Sequence, residues 1–195
     1  MNLRQLSRTW DELGQRDPLW AILSHDDKRD NRWNLHEFLQ TGRTEIEEAL
    51  AYVARFQPDL PRRNALDFGC GVGRLSQALA EHFEKVDGID IAESMICQAR
   101  TINRHGATCS YHHNTAPDLR MFPAQSFDFL YSNLTLPHMP PKLGHSYIRE
   151  LCRLLRTGGA LVFEIPIHPR RDRSRLGVLL SKVIRSAQLL WLRSV

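Results

Sequence analysis

The apolar positions of residues 62–167 fall into short runs that alternate with amphipathic segments. The short runs predict five strands, which are NALDFG, KVDGID, ATCSYHH, SFDFLYSNL and ALVFEIP. The segments between them predict helices, among them GRLSQALAEHF, AESMICQARTINRHG and KLGHSYIRELCRLLRTGG. Strands that alternate with helices of about 10–15 residues indicate crossover connections. The pattern therefore predicts an α/β fold with a doubly wound, mainly parallel sheet.

The first part of the chain has a weaker periodicity. Residues 1–43 predict short helices ahead of the sheet. Thr44 and Glu47 have the spacing of a capping box, which would begin a longer helix that Pro58 ends. We predict two parts, an N-terminal helical extension over 1–43 and an α/β domain over 44–195.

Composition limits the class of protein. A chain of 195 residues with 42% hydrophobic and 25% charged residues fits one domain of ordinary size and excludes a wholly disordered chain. Four cysteines without CxxC or zinc spacing predict reduced thiols. The first residues contain no apolar signal region, and no run of about 18 apolar residues occurs. We therefore expect a cytoplasmic protein without a transmembrane span.

Basic residues concentrate at the end of the chain. Of 26 basic and 22 acidic residues in all, seven basic residues and only Asp172 lie from Arg170 onward. The preceding residues therefore carry 19 basic and 21 acidic side chains. This balance argues against a nucleic-acid-binding surface on the body of the chain, and we expect no nucleic-acid partner.

The same C-terminal segment predicts a basic amphipathic helix. Its apolar positions from Leu176 onward lie on one helical face, and Lys182, Arg185 and Arg193 lie among the other positions. A helix of this kind covers a sheet, forms a homodimer contact or rests on an anionic membrane surface. The sequence favours the first two roles and leaves the third open.

A glycine-rich turn, LDFGCGVGR, follows the first predicted strand. Glycine permits positive φ angles and a close approach of the backbone to a ligand, and the following helix offers free N–H groups. Arg74 stands where the dinucleotide-binding pattern has Gly or Ala. Asp67, directly before the glycines, would repel a pyrophosphate but suits a positively charged amino group. The turn therefore favours a cationic, amino-acid-bearing cofactor over a dinucleotide.

A second acidic residue, Asp90, ends the second predicted strand, 23 residues after Asp67. In folds of this type, a carboxylate at that position faces the ribose and accepts hydrogen bonds from its hydroxyls. Glu93 competes for this role, although it is better placed to begin the second helix. Each carboxylate alone fits an ordinary surface or cap position, but their spacing around the glycine turn predicts a nucleoside site.

Four segments in this order resemble the motifs of class I S-adenosylmethionine-dependent methyltransferases, in the small-molecule branch of that family. The segments are DFGCGVGR, GIDIAESMI, SFDFLYSNLTLPHMP and RLLRTGGALVFEIP, which span about residues 62–167. The resemblance implies a Rossmann-like methyltransferase fold. That fold normally continues through another helix and two strands, whereas only 29 residues follow Pro166 here. We therefore expect the C-terminal strands to be missing. The chain is then truncated, completed by another element or subunit, or a minimal five-stranded variant, and we favour truncation or a missing downstream domain.

The resemblance implies that the N-terminal extension acts as a lid over the site. It also implies S-adenosylmethionine as the cofactor and assigns its contacts. Asp67 and the glycine turn would hold the methionine moiety, Asp90 the ribose, and Asn114 the edge of the adenine. Ile91 and Met95 would pack against the adenine ring. The remaining predicted cofactor positions are Gly69, Cys70, Gly71, Gly73, Leu119, Ser132 and Asn133.

His138 is the candidate acid–base residue, because it follows the fourth strand at the mouth of the predicted pocket. The alternative is that it hydrogen-bonds a backbone group beside the next helix. His112 and His113 point to opposite faces of a strand, so we predict no metal site. Arg43 would pair with the cofactor carboxylate or, as the sequence favours, lie solvated at the surface.

These observations predict a methyltransferase that acts on a small molecule, a lipid-linked precursor or a glycan. The sequence NLTL begins at Asn133, where amino-methylases of nucleobases and protein amides have an NPPY-like tetrapeptide. This difference argues against nucleobases and protein amides as substrates. Two alternatives remain open, an NAD(P)-dependent oxidoreductase on a similar sheet and a non-catalytic cofactor-binding or scaffold protein.

Overall fold

A computed structural model describes residues 2–165 of the chain. Three helices precede the sheet, α1 (Leu3–Arg16), α2 (Pro18–Ile22) and α3 (Leu35–Ala54). Strands and helices then alternate in the order β1 (Asn64–Phe68), α4 (Arg74–Leu79), β2 (Lys85–Asp90), α5 (Glu93–Ile102), β3 (Cys109–His113), β4 (Phe127–Ser132), α6 (Pro141–Leu154) and β5 (Leu155–Phe163). Short 3₁₀ helices lie at Asp26–Lys28, Gly106–Thr108 and Leu136–His138.

The five strands form one parallel sheet in the order β3-β2-β1-β4-β5. The chain runs outward from β1 to β3 and then returns to the other side of β1 for β4 and β5. The strand order therefore reverses between β1 and β4, and ligands of such sheets bind at the carboxyl ends of the strands beside this reversal. The predicted doubly wound fold is confirmed, and the described part holds all five strands that the sequence indicated.

Apolar clusters cover both faces of the sheet. One cluster joins α3 and α4 to the sheet and includes Ile46, Leu79 and Phe129, whereas the other joins α6 to it and includes Leu130 and Leu151. Strands buried on both faces are typical of the centre of parallel sheets, which explains why the central strands β1 and β4 are almost continuously buried, whereas the edge strand β3 is not. The sheet is therefore a rigid support for the loops at its carboxyl edge.

A buried carboxylate joins the start of β1 to β4. Asp128 is 1% exposed, and its Oδ2 accepts hydrogen bonds from the backbone N–H groups of Arg63 and Asn64 at 3.1 and 3.0 Å. The guanidinium groups of Arg63 and Arg156 contact its other oxygen, each at 3.2 Å. These partners satisfy the carboxylate at the edge of the sheet opposite the glycine turn.

Helix α3 begins earlier than the sequence predicted. Asn34 is its N-cap, and the side chain of Asn34 accepts hydrogen bonds from the backbone N–H groups of His36 and Glu37. Thr44 lies inside the helix, where its hydroxyl donates to the carbonyl oxygen of Gln40 at 3.3 Å. The predicted capping box at Thr44 is therefore wrong, because the apolar face of the helix already begins one turn after Asn34.

Helix α3 runs across the boundary predicted between residues 43 and 44. The division of the chain into an extension and a domain stays a prediction. The predicted C-terminal amphipathic helix and the missing C-terminal strands lie outside the described residues. Within residues 2–165, no helix is long and apolar enough to cross a membrane.

Candidate functional site

A cavity of about 440 Å³ lies at the carboxyl ends of β1, β2 and β4. This volume is within the range of about 300–1,000 Å³ that is usual for small-molecule sites. One wall comes from the sheet and its loops, and the opposite wall comes from α1, α2 and the segment that follows α2. The lining residues that the sequence predicted are Gly69, Cys70, Gly71, Asp90, Ile91, Met95, Asn114, Asn133 and His138.

The glycine turn forms the floor of this cavity. Gly69, Gly71 and Gly73 have φ angles of 80°, 52° and 84°, in the left-handed region that side chains disfavour. The backbone N–H groups of Gly69 and Cys70 both donate to the carbonyl oxygen of Ile89, at 2.8 and 3.1 Å. A Cβ at Gly71 would lie 2.6 Å from the side chain of Ile22. The turn therefore presents bare backbone to the cavity, as a close-fitting ligand requires.

Asp90 ends β2 beside this turn and lines the cavity. Its Oδ2 accepts a hydrogen bond from the N–H of Gly71 at 2.9 Å, and its Oδ1 accepts one from the N–H of Ala92 at 2.8 Å. Burial raises the pKa of Asp90, and these two backbone donors oppose the rise. Since a carboxylate offers about four lone-pair sites, two remain for the hydroxyl groups of a ligand.

Ile91, Met95 and Asn114 lie next to Asp90 along the cavity wall. The N–H of Asn114 donates to the carbonyl oxygen of Asp90 at 2.9 Å, which places Asn114 directly after β3. The side-chain amide of Asn114 donates to the carbonyl oxygens of Ala116 and Asp118, at 3.3 and 3.0 Å. The side-chain amide of Asn114 therefore holds the loop after β3, whereas its backbone N–H binds the end of β2.

Four predicted cofactor positions do not line the cavity. Asp67 is 1% exposed beneath the turn, where its Oδ2 accepts a hydrogen bond from the Ser76 hydroxyl at 2.6 Å and its Oδ1 has no partner among the described residues. Burial raises the pKa of Asp67 to about 7, although the Ser76 hydroxyl and the Arg74 guanidinium favour the charged form. The contact of Asp67 with a cofactor stays a prediction. The other three positions are Gly73, Leu119 and Ser132.

These three positions have structural surroundings. Gly73 is the N-cap of α4, and a Cβ there would meet the ring of Tyr111. Leu119 is fully buried in the cluster beneath α6. The hydroxyl of buried Ser132 donates to the carbonyl oxygen of Phe68 at 3.0 Å, which ties β4 to β1. Each residue thus supports the shape of the cavity from behind its wall.

His138 lies exposed at the mouth of the cavity, at the end of the 3₁₀ helix that follows β4. Its ring packs edge-on against the ring of Trp10, with the centroids 5.3 Å apart. The imidazole makes no hydrogen bond with the residues that the structure describes, so the backbone contact considered for it is not formed there. His138 is therefore placed to exchange a proton with a ligand, and its catalytic role stays a prediction.

The N-terminal helices form one wall of the cavity. The sequence predicts a lid here but does not identify the residues that would form it. Leu6 and Trp10 of α1 line the cavity together with residues 21–25. Helix α1 is anchored on α5, because Asp11 accepts a hydrogen bond from the N–H of Ser94 at 2.8 Å and the amide of Gln98 donates to Gly14 at 2.8 Å. No local spacing in the sequence signals these contacts, since the partners are more than 80 residues apart.

Glu45 of α3 is a polar residue that the sequence did not single out. Its Oε1 accepts hydrogen bonds from the Asn133 amide at 2.7 Å and from the Tyr131 hydroxyl at 2.9 Å. Its Oε2 accepts one from the Arg74 guanidinium at 2.7 Å. Glu45 therefore joins α3 and α4 to the end of β4, and it fixes the side chain of Asn133 at the cavity wall.

Other candidates of the sequence lie elsewhere. Arg43 pairs with Glu81 at 2.7 Å and does not line the large cavity. His112 contacts Asp87 at 2.6 Å, whereas His113 contacts the carbonyl oxygen of Ile91 at 3.0 Å. Among the described residues, no group of three or more His, Cys, Asp or Glu side chains could hold a metal ion.

The cavity combines polar groups with an apolar wall. Asp90 and the backbone of the glycine turn are polar groups with which a sugar or an amino-acid group would find partners. Apolar side chains form most of the remaining wall, and a few precisely placed polar groups in an apolar pocket are typical of small-molecule sites. Apolar lining residues include Leu6, Trp10, Ala21, Ile22, Leu23, Phe68, Leu75, Ile89, Ile91, Met95, Leu134, Met139 and Tyr147.

Comparison with known proteins agrees with this arrangement. Residues 65–159 match a family model described as a methyltransferase domain. The chain is 29% identical over 154 residues to a 2-methyl-6-phytyl-1,4-hydroquinone methyltransferase of Synechocystis sp., covering 78% of this chain and 47% of that protein. It is 32% identical over 105 residues to a ubiquinone biosynthesis O-methyltransferase of Aromatoleum aromaticum, covering 53% of this chain and 44% of that protein. The chain thus spans less than half the length of these curated relatives.

A solved structure supports the fold. A phosphoethanolamine N-methyltransferase of Haemonchus contortus, in complex with phosphoethanolamine and S-adenosylhomocysteine, is similar with a TM-score of 0.65. The match covers 94% of this chain and 40% of that one, at 19% sequence identity. Likeness at this level of identity shows a shared fold and leaves the substrate undetermined.

Proposed function

We propose that the chain is a class I S-adenosylmethionine-dependent methyltransferase and that it transfers a methyl group from S-adenosylmethionine to a small molecule with an apolar body. The observation that carries the proposal is the glycine turn beside Asp90. There, bare backbone and a half-buried carboxylate face one cavity of about 440 Å³. A ligand that combines an amino-acid group with a ribose fits such a wall.

The cofactor contacts follow from the positions of the lining residues. Gly69 and Gly71 would accommodate the methionine moiety, and Asp90 would accept hydrogen bonds from the ribose hydroxyls. Ile91 and Met95 would pack on the adenine. The glycine turn fits this cofactor, because Gly69 and Gly71 line the cavity with positive φ angles and without side chains, which lets a ligand approach the backbone closely. Asp67 lies beneath the turn, and its contribution to cofactor binding would come from the position of its own backbone.

The residues at the mouth of the cavity suit methyl transfer. S-adenosylmethionine, when bound, supplies an electrophilic methyl group, so the protein mainly aligns the acceptor and excludes water. The apolar side chains of Trp10, Leu134 and Met139 would exclude water from the acceptor. His138 would take the proton of an acceptor hydroxyl, since its imidazole has no other hydrogen-bond partner in the described part of the chain.

The many apolar side chains that line the cavity support an acceptor with an apolar body. The two relatives act, by their names, on a phytyl hydroquinone and in ubiquinone biosynthesis. A substituted phenol or hydroquinone would place its ring among the apolar side chains and its hydroxyl near His138. We therefore favour this class of acceptor over a glycan, which would need many more hydrogen-bonding groups than the apolar wall offers.

Calorimetric titration with S-adenosylhomocysteine tests the cofactor assignment. We expect saturable binding to the parent chain, and no binding of NADH. Asp90→Ala removes two ligand hydrogen bonds to a charged group, each worth about 1.5–3 kcal/mol, so the affinity should fall by about a hundredfold or more. Asp59→Ala, at an exposed position, is the matched control and should bind like the parent.

The possible results separate the alternative functions. Binding of NADH without S-adenosylhomocysteine would support an oxidoreductase and refute the proposal. A chain that binds S-adenosylhomocysteine but transfers no radiolabelled methyl group to hydroquinones or to a cell extract would be a non-catalytic binding protein. Equal affinity of Asp90→Ala and the parent would refute the ribose assignment. A thermal melt of each variant shows whether the chain remains folded.

A further inference from the structure

A second, smaller cavity of about 70 Å³ lies between α3, α4 and the segment that follows α5. It is separate from the site proposed for the cofactor, although Arg74 lines both cavities. Its lining residues are predominantly polar. They are His36, Leu39, Gln40, Arg43, Arg74, Gln77, Ala78, Glu81, Arg104 and His105.

Two buried N–H donors in this lining have no partner among the described residues. Gln77 is 4% exposed, and its Nε2 is unpaired although its Oε1 accepts a hydrogen bond from the backbone N–H of Arg104 at 3.1 Å. Arg74 is 3% exposed, and its Nε is unpaired although its terminal nitrogens donate to Thr41 and Glu45. Buried donors are normally satisfied by protein, water or ligand, and both residues line this cavity.

The charge around the cavity favours an acceptor with negative charge. Arg43 pairs with Glu81 and Arg74 pairs with Glu45, each at 2.7 Å. The guanidinium of Arg104 has no acidic partner within residues 2–165, so the three arginines of the lining have two carboxylate partners between them, of which Glu81 lines the cavity. Two imidazoles, those of His36 and His105, add further donors. An anion would therefore gain both hydrogen bonds and a favourable net charge, despite the nearby carboxylate of Glu81.

The size of the cavity limits the ligand. A single water needs about 10–15 Å³ of such volume, so a cavity of about 70 Å³ holds several waters or one small oxyanion. It has no room for a nucleotide or a lipid headgroup with its glycerol. Guanidinium and amide donors arranged around a small space are well suited to the oxygens of a tetrahedral ion.

We propose that this cavity binds a small inorganic oxyanion, of which phosphate is the representative, through Gln77, Arg74 and Arg104. The bound ion accepts hydrogen bonds from the two unpaired donors and balances the charge of Arg104. Because Arg74 also lines the large cavity and holds Glu45, the ion stabilises the contact between α3 and α4 behind the glycine turn.

Isothermal titration with potassium phosphate, at constant ionic strength set with potassium chloride, tests the proposal. The full chain is used, both alone and saturated with S-adenosylhomocysteine, so that binding in the large cavity is recognised. We expect one saturable site in both conditions. Failure of S-adenosylhomocysteine to bind would affect only the proposed function, since the phosphate titration of the chain alone is independent of it.

Variants assign the binding to this cavity. Gln77→Glu keeps an acceptor for the N–H of Arg104 but places a negative charge in the site, so phosphate binding should be lost. Arg104→Ala changes an exposed residue and should weaken binding about tenfold or more. Arg149→Ala removes the same charge from an exposed position on α6 and should leave the affinity unchanged. Gln77→Met removes the donor without adding charge and serves if the glutamate variant does not fold.

The outcomes decide the proposal in either direction. Saturable binding that Gln77→Glu or Gln77→Met abolishes, and that Arg149→Ala leaves intact, supports it. Absence of saturable binding to the parent shows that water satisfies the two donors and overturns it. The proposal is also overturned if all variants bind phosphate like the parent, because the ion would then lie on another basic part of the chain.

Discussion

Asp67 offers a test of the buried polar region beneath the glycine turn. Asp67→Asn replaces the carboxyl group with a neutral amide of nearly the same size. The carboxyl is almost fully buried, and its hydrogen bond comes from the Ser76 hydroxyl alone among the described residues. Burial raises its pKa from 3.8 to about 7, so ionisation is much less favourable in the folded chain than in the unfolded chain.

The sign and size of the effect follow from this shift. Between about pH 4 and pH 7 the folded chain holds one more proton at Asp67 than the unfolded chain, so the free energy of unfolding falls as the pH rises. Each unit of pKa corresponds to about 1.4 kcal/mol, and a shift of roughly three units predicts a loss of about 4 kcal/mol by pH 8. The asparagine variant escapes this loss but leaves one amide group unpaired, which costs about 1–3 kcal/mol.

Urea unfolding of the parent and of Asp67→Asn, at pH 5 to 8 and constant ionic strength, measures the difference in free energy of unfolding. We expect this difference to shift in favour of the variant by about 2.5 kcal/mol between pH 5 and pH 8, by the linkage of protonation to unfolding. Asp59→Asn, at an exposed position, reports the effect of net charge alone. A difference in free energy of unfolding that stays constant with pH would refute the inference that Asp67 is buried and protonated in the folded chain.

Three further substitutions test other parts of the fold. Glu45→Gln leaves the buried guanidinium of Arg74 without its counter-charge and should lower the free energy of unfolding by about 2–3 kcal/mol, whereas Glu47→Gln, at an exposed position of α3, should have little effect in the same urea titration. Asp128→Ala strands two backbone donors and should cost about 3 kcal/mol by that assay; a cost below 1 kcal/mol would contradict the described contacts. Gly71→Ala forces a side chain into a left-handed conformation, and we expect about 1–2 kcal/mol of destabilisation together with weaker S-adenosylhomocysteine binding by calorimetry.

Local signals predicted the central part of the fold. The strands β1 and β2 are short buried runs, and the glycines after β1 mark a turn with positive φ, so the position of Asp90 beside that turn followed from the sequence alone. Thr44 and Glu47 misled the prediction, because the spacing of a capping box also occurs inside a helix. Asn34 is the true N-cap, and Glu37 stands three residues after it, so the same spacing also occurs there with Asn in place of Ser or Thr.

The opposite wall of the cavity could not be predicted in the same way. Trp10 meets His138, and Glu45 meets Asn133, only after the sheet and the helices have packed. Such contacts depend on the relative placement of elements far apart in sequence, about which hydrophobic periodicity contains no information. The sequence therefore indicated that the N-terminal helices cover the site, but not which of their side chains reach it.

The ring contact between Trp10 and His138 gives the protein a built-in optical reporter. Among the tryptophans in the described part of the chain, Trp10 is the one that lines the large cavity. Indole emission responds to the polarity of its surroundings and to the charge of a neighbouring imidazole. Entry of a molecule at this mouth would therefore change the intrinsic fluorescence, and occupancy could be followed in real time without a label.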